Sequence, residues 1–304
     1  MITGYTRPLY LLPFDHRASY ILGLFGWKEP FNAEQMVTVA YSKQVIYAGF
    51  QLAIADHVPK DHVGLLVDEE FGSAILRDAA SKGYITAASV EQSGQEEFAF
   101  AYGEDFAQHI QAVAPTFAKV LVRYNPEGDV ALNQRQVSRL KRLSDSLHRT
   151  QTLFLFELLV PATPLHLDQV EGDTHAYDLQ LRPRLMLQAI QALQDAGVEP
   201  DVWKVEGLDA REDGVKLVEM ARRGGRNSVG LIVLGRGAER DRVEHWLKTA
   251  ASVPGFIGFA VGRTSFWQPL LDVVAKRLSQ EEAATHIAHN FEAWIRLFEQ
   301  AHKL

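Results

Sequence analysis

Cysteine is absent from the 304 residues, which removes disulfide frameworks, thiolate metal sites and cysteine nucleophiles together and fits a reducing cytoplasm. No apolar run approaches the roughly 20 residues needed to span a bilayer. The opening stretch MITGYTRPLYLLPFDHR has neither a long apolar core nor a small-residue cleavage site, so a soluble, cytoplasmic protein with no membrane partner is expected. Positive charge is also scarce: 31 Lys and Arg against 38 Asp and Glu leave a net charge of -7. That balance argues against a nucleic-acid partner, and an anionic substrate must find a local basic pocket. Neither a GxxxxGKS/T loop nor a GxGxxG after a strand occurs, so nucleotide and dinucleotide binding lack support and no cofactor is expected.

What is present is a regular alternation. An apolar fraction of 47% with 23% charged residues suffices for a sizeable core. Eight short runs read as strands: LYLLPF, VGLLVD, YITAASV, AKVLVRY, TLFLFELLV, DVWKVEG, VGLIVLG and FIGFAVG. Helical spacing follows each, over 33–49, 72–82, 104–113, 133–149, 183–196, 211–223, 239–251 and 266–278. Residues 50–62 are ambiguous, since QLAIAD also suits a strand, and they read as a helix end and a turn. No Ser/Pro-rich linker interrupts the series, so one domain over 1–304 is expected. Its fold is α/β, a (β/α)8 TIM barrel with an additional C-terminal helix over 280–303; an open doubly wound sheet is the alternative. The last helix carries Trp294 and Phe298, which could serve burial against another subunit in a homo-oligomer.

Charges in mid-strand pay a desolvation cost unless they have partners. In DVWKVEG, alternation puts Val202, Lys204 and Glu206 on one face and the apolar pair Trp203 and Val205 on the other, so Lys204 points into the barrel. Lys119, Leu121, Arg123 and Asn125 share the inner face of strand four, and Glu157 is the single charge in TLFLFELLV. Asp15, His16 and Arg17 follow strand one, Asp68, Glu69 and Glu70 follow strand two, and Glu91 ends strand three. These are the carboxyl ends at which barrel active sites lie. Glu70 reads as solvated. The competing reading of Lys204 with Glu157 or Glu206 is an interior ion network without chemistry.

Strand seven runs into LGRGAERD and strand eight into VGRTSFWQP. Gly235, Arg236 and Gly237, with Gly262 and Arg263, therefore form a candidate phosphate site, where helix N-termini and bidentate arginine contacts favour an anion; ordinary turn glycines with surface arginines are the alternative. His286 and His289 lie one helical turn apart, away from the mouth, and no metal site is expected.

A lysine amine attacks a carbonyl only when unprotonated, and a buried neighbouring cation such as Lys119 favours that state. Lys204 with Glu157 as the proton carrier and a phosphate anchor make a class I, Schiff-base aldolase acting on a small-molecule sugar phosphate.

The segments VLVRYNP, LFLFELL, WKVEG and LVDEEFG, with the VGR after strand eight, resemble the class I tagatose-1,6-bisphosphate aldolase family. LLPFDHR, DEEFG, VEQSG, KVLVRYNPEGD and GFAVGRTSFWQPL resemble more closely the aldolase-like domain fused behind the sugar kinase in some bacterial inositol-catabolism proteins. The resemblance implies a Schiff-base lysine at Lys204, a catalytic carboxylate at Glu157, the strand-four lysine at Lys119, and phosphate contacts at Gly235, Arg236, Gly262 and Arg263. It also implies cleavage of 2-deoxy-5-keto-gluconate 6-phosphate to dihydroxyacetone phosphate and malonate semialdehyde. The sequence contains no kinase half, and Gly235-Arg236-Gly237 replaces the tagatose-type serine and glycine pattern. Tagatose-bisphosphate or sulfofructose-phosphate cleavage, or a sugar-phosphate-binding barrel without chemistry, would use the same residues.

Overall fold

The computed structural model describes residues 4–55 and 58–303. The chain begins β1 (Leu9–Pro13), α1 (Ala18–Phe25), α2 (Ala33–Ile54), β2 (Val63–Asp68), α3 (Glu69–Ser81), β3 (Ile85–Ser89), α4 (Phe106–Val113), β4 (Phe117–Arg123) and α5 (Val130–Thr150). It continues through β5 (Leu153–Leu159), α6 (Pro164–Gln169), α7 (Thr174–Gln180), α8 (Arg182–Asp195), β6 (Val202–Glu206), α9 (Arg211–Ala221) and β7 (Gly230–Leu234). It closes with α10 (Arg240–Ala251), β8 (Phe256–Ala260), α11 (Arg263–Val274) and α12 (Gln280–His302).

The eight strands pair in sequence order, all parallel, and β8 returns to β1, which makes a closed (β/α)8 barrel. Strand alternation sorts the side chains as the sequence implies. Leu155, Val202 and Ile232 pack inside with Leu11, Leu66 and Phe117, forming an apolar floor. Trp203, Val205, Phe154 and Phe156 face the helices. Closure between β8 and β1 depends on Gly258, because a Cβ there would lie 1.9 Å from the Leu9 carbonyl oxygen.

As expected, the QLAI segment continues α2 to Ile54; of the expected turn beyond it, Asp56 and His57 lie outside the described residues. The helices differ from expectation in two places. Between β1 and α2 the chain forms α1, an eight-residue helix absent from the expected set. Two further short helices, α6 and α7, precede α8.

The C-terminal helix is present, but its aromatics are not offered to a partner. Trp294 and Phe298 are 1% and 2% exposed within this chain. The Trp294 indole donates to Ser265 Oγ at 3.0 Å, and Phe298 packs on Tyr10 and Phe259. An apolar stripe at helical spacing marks a buried face without saying what buries it. Here α12 fills the space beside α2, α10 and α11. No helix among the described residues is long and apolar enough to cross a membrane.

Candidate active site

Above the apolar floor, the carboxyl ends of the strands enclose a cavity of about 420 Å³, within the range of small-ligand sites. Lys204 Nζ projects from mid-β6 and lies 2.8 Å from Glu157 Oε2 on β5. The two residues are register partners, so the parallel ladder itself sets them side by side. The same oxygen lies 2.9 Å from Lys119 Nζ on β4. Lys119 also reaches Asp15 and Glu91, each at 2.7 Å. All five side chains are nine-tenths or more buried.

Their charges follow from this geometry. Burial works to discharge Lys119, but Asp15, Glu157 and Glu91 overcome it and hold its pKa well above the usual lysine value. Burial likewise opposes ionisation of Glu157, yet Lys119 and then Lys204 outweigh it and keep the carboxyl below its ordinary value. Asp15 behaves the same way, with Lys119 the main counterweight to burial. For Glu91 burial prevails and raises the pKa, with Asp15 adding to it against Lys119. His16 is pushed down to about 4, chiefly by burial, and is neutral at physiological pH. Lys119 thus does not stand as a bare cation against Lys204, as the sequence implied. A carboxylate lies between the two amines, and that group can carry a proton from one state of Lys204 to the other.

One rim of the cavity is built from the ends of β7, β8 and β1. Arg263 Nη2 donates to Ser19 Oγ at 2.7 Å, and its buried Nε has no hydrogen-bond partner among the described residues. Both α11, after Gly262, and α1, after Arg17, begin without an N-cap side chain; the first N–H of α1, on Ala18, donates to Ser93 Oγ at 3.4 Å, and both helix starts adjoin the cavity. Gly262 is needed for a separate reason: a Cβ would lie 2.2 Å from the Pro13 carbonyl oxygen, where the backbone leaves no room. Arg236 and Gly237 both adopt positive φ, 54° and 69°, in the turn after β7. The Arg236 guanidinium is tethered to Asp178 at 2.7 Å and approaches Glu206 at 3.4 Å. The opposite rim consists of Arg17, Arg123 and the 92–95 loop after β3.

Thirteen of the expected site residues line this cavity: Lys204, Glu157, Lys119, Asp15, His16, Arg17, Glu91, Arg123 and the five at the ends of β7 and β8. Four do not. Asp68 caps α3 by accepting the Phe71 N–H at 2.8 Å and pairs with the fully buried Lys43. Glu69 pairs with His109 at 2.9 Å in the helix layer. Asn125 ties the loop after β4, donating to the Pro161 carbonyl at 2.7 Å and accepting the Glu127 N–H at 2.8 Å. Glu206 accepts from the Val160 N–H at 3.0 Å and pairs with buried Arg182 at 3.0 Å. Each sits at or beyond a strand end, where the chain turns into the helix layer and alternation no longer fixes direction. Glu70 is exposed, in keeping with its solvated reading.

Missed by the sequence reading were Ser19, the 92–95 loop and Lys43. Ser19 was hidden with α1, the helix that carries it. Lys43 gave a weak signal as a lysine within the apolar positions of α2. Its Nζ donates to the His16 carbonyl at 3.2 Å and pairs with Asp68, bracing the β1 loop from behind.

Comparison with known proteins places this geometry in context. The model of a family described as an uncharacterized protein conserved in bacteria (DUF2090) matches residues 4–302. No curated protein matches the chain by sequence. Among solved structures, the Cgl0159 protein of Corynebacterium glutamicum aligns at a TM-score of 0.56 with 17% identity, covering 93% of this chain and 85% of that one. An archaeal fructose 1,6-bisphosphate aldolase aligns at 0.56 with 11% identity, over 95% and 94% of the two chains. A Schiff-base-forming fructose-1,6-bisphosphate aldolase aligns at 0.54 with 11% identity, over 90% and 95%. At these identities the likeness is one of fold.

Proposed function

We propose that this chain, which belongs to the DUF2090 family, is a class I aldolase that cleaves a phosphorylated keto sugar or sugar acid through a Schiff base on Lys204. The observation that carries the reading is the 2.8 Å pair of Lys204 Nζ and Glu157 Oε2, buried at the floor of a cavity with an arginine and two uncapped helix starts on its rim. Two of the similar structures are fructose-bisphosphate aldolases, one of them described as Schiff-base forming, which agrees with the reaction class.

In this mechanism Lys204 passes a proton to Glu157 and attacks the substrate ketone as the free amine. The carbinolamine loses water to give an iminium, with Glu157 returning the proton to the departing oxygen. Glu157, again a carboxylate, then takes the proton of the β-hydroxyl, two carbons from the iminium carbon. The carbon–carbon bond breaks, its electron pair moves into the iminium as an enamine, and the aldehyde leaves. Protonation of the enamine carbon and attack by water release the ketone and regenerate the Lys204 amine. Lys119, locked as a cation by three carboxylates, favours the ionised form of Glu157 between steps. Arg263 and the starts of α1 and α11 would hold the phosphate and fix the carbonyl over Lys204. Within the class, our reading of the substrate is 2-deoxy-5-keto-gluconate 6-phosphate, giving dihydroxyacetone phosphate and malonate semialdehyde; it rests on the sequence resemblance.

Borohydride reduction in the presence of dihydroxyacetone phosphate, followed by peptide mass mapping, tests the reaction class. An adduct on Lys204 is expected. An adduct on Lys119 would overturn the assignment to Lys204, and no adduct at all would overturn the reaction class.

A further inference from the structure

The aromatics of α12 are buried inside the chain, but α2 carries apolar side chains on its outer face. Of the nine large apolar side chains exposed among the described residues, four lie on α2, and no other helix has more than one. The inner face of α2, with Val39, Ile46, Phe50 and Ala53, is buried against the rest of the chain. Its outer face carries Val37, Tyr41, Gln44, Ala48 and Leu52 at three- and four-residue steps, with Val37 69%, Tyr41 56% and Leu52 49% exposed. Such steps line side chains up as a seam against another helix, and a helix apolar on both faces is one that is covered on both.

The seam is uneven along its length. Val37 and Tyr41 are exposed in the first half of α2. In the second half a groove of about 800 Å³ lies open between α3 and α12, lined by Ala48 and Leu52 together with Asp78 and Glu281. Asp78 is occupied, accepting from Tyr47 at 2.6 Å and from Lys82 at 2.7 Å. The Glu281 carboxylate and the Tyr41 hydroxyl make no hydrogen bond or ion pair among the described residues.

From Gln35 to Ala55 the only charged residue is Lys43, which is fully buried. On a face that meets its own copy this neutrality has a physical reason. A two-fold axis brings identical side chains together, so a charge near it would face a like charge. A partner of different sequence imposes no such restriction. Val37, Tyr41 and Leu52 expose on the order of 350 Å² between them, against the roughly 800 Å² that each side of a stable interface buries. The groove and its walls on α3 and α12 extend the footprint toward that size.

We propose that two copies of this chain pair through α2, antiparallel about a two-fold axis that crosses the helix near Gln44 and Val45. Val37 of each copy then lies over Leu52 of the partner subunit. Tyr41 enters the partner's groove beside Ala48, where its hydroxyl donates to Glu281 of the partner subunit. Val37 and Leu52, like Tyr41 and Ala48, are equally far in sequence from the axis, so a single arrangement fills both grooves. The antiparallel sense also opposes the two helix dipoles. The pairing does not depend on the reaction at Lys204.

Sedimentation velocity of the full chain from about 1 to about 100 μM tests the pairing. The wild-type protein is expected to sediment as a dimer at the upper end of that range. Val37→Lys and Leu52→Glu each set an unpaired charge in the seam and should weaken the dimer by about 100-fold or more. Both positions are exposed in the single chain, so thermal unfolding of the dilute variants should match wild type, which reports an intact fold. The double variant Val37→Lys/Leu52→Glu discriminates the geometry. The antiparallel axis sets the new cation of each copy beside the new anion of the other, and dimer affinity should return to within about tenfold of wild type. A parallel pairing would set like charges together and leave the double variant monomeric, which would refute the proposed axis. A wild-type chain that stays monomeric at the highest concentration would overturn the proposal and leave α2 to a partner of another kind. A dimer that both single variants leave intact would place the contact on another surface and would equally overturn it.

Discussion

Replacing Lys119 by methionine tests the electrostatic core of the site. The side chain is 1% exposed, and its Nζ is within 2.9 Å of three carboxylates. Methionine keeps a similar stem and removes the charge, so Asp15, Glu91 and Glu157 lose the cation they share and are left facing an apolar group. Removing one partner of a buried ion pair costs about 3–5 kcal/mol, a large share of the about 5–15 kcal/mol that stabilises a typical fold. The cost has a pH signature of defined sign. In the wild-type protein Asp15 and Glu157 have lowered folded-state pKa values, so their stabilisation is present above the ordinary carboxylate range and is lost as pH falls. Lys119, whose pKa is raised, contributes below about pH 10.5 and loses its contribution above its folded pKa. In the variant, burial and mutual repulsion raise the carboxylate pKa values above those of the unfolded chain. Folding then takes up protons, and the deficit relative to wild type shrinks as pH falls below about 6. Urea unfolding at pH 7.5 and pH 5.5 measures this. A deficit under about 1 kcal/mol at pH 7.5, or one equal at both pH values, would refute the assigned charge states.

Three further outcomes are expected. Glu157→Gln keeps the shape of the pair but cannot accept a proton, and it should lower kcat by about 10²–10⁴-fold, with slower borohydride trapping of Lys204 in single-turnover assays. Arg263→Ala should raise KM for a phosphorylated substrate more than it harms cleavage of the unphosphorylated analogue; equal losses would remove Arg263 from phosphate recognition. Gly262→Ala forces a Cβ to 2.2 Å from the Pro13 carbonyl oxygen, so thermal and urea unfolding should show a loss of about 1–3 kcal/mol.

The parts of the molecule legible in the sequence are those governed by period-two alternation. All eight strands show as apolar runs because parallel strands are covered on both faces. The same alternation marks Lys204 and Glu157 as inward charges, and parallel register turns that shared face into a 2.8 Å contact. Direction is lost where the strand ends, which is why Asp68 and Glu206 read like Lys204 yet turn into the helix layer. The segment ASYILGLF was illegible for another reason. It is apolar almost throughout, and its first turn has neither a capping side chain nor an acid to announce it.

The cage around Lys119 marks the deeper limit. Asp15 and Glu91 reach it across 104 and 28 residues of sequence, so no local pattern could reveal that the lysine has three partners. A lysine with one like-charged neighbour and a lysine in a carboxylate cage look the same along a strand, but they make opposite electrostatic demands. The first would discharge Lys204 by repulsion. The second fixes its own proton and leaves Glu157 Oε2, shared between two amines at 2.8 and 2.9 Å, as the atom at which a proton can change owner. Lys119 then acts on Lys204 only through Glu157, so Lys119→Met and Glu157→Gln should be strongly non-additive in their effects on kcat. Additive losses would mean that Lys119 touches the reaction by a route of its own.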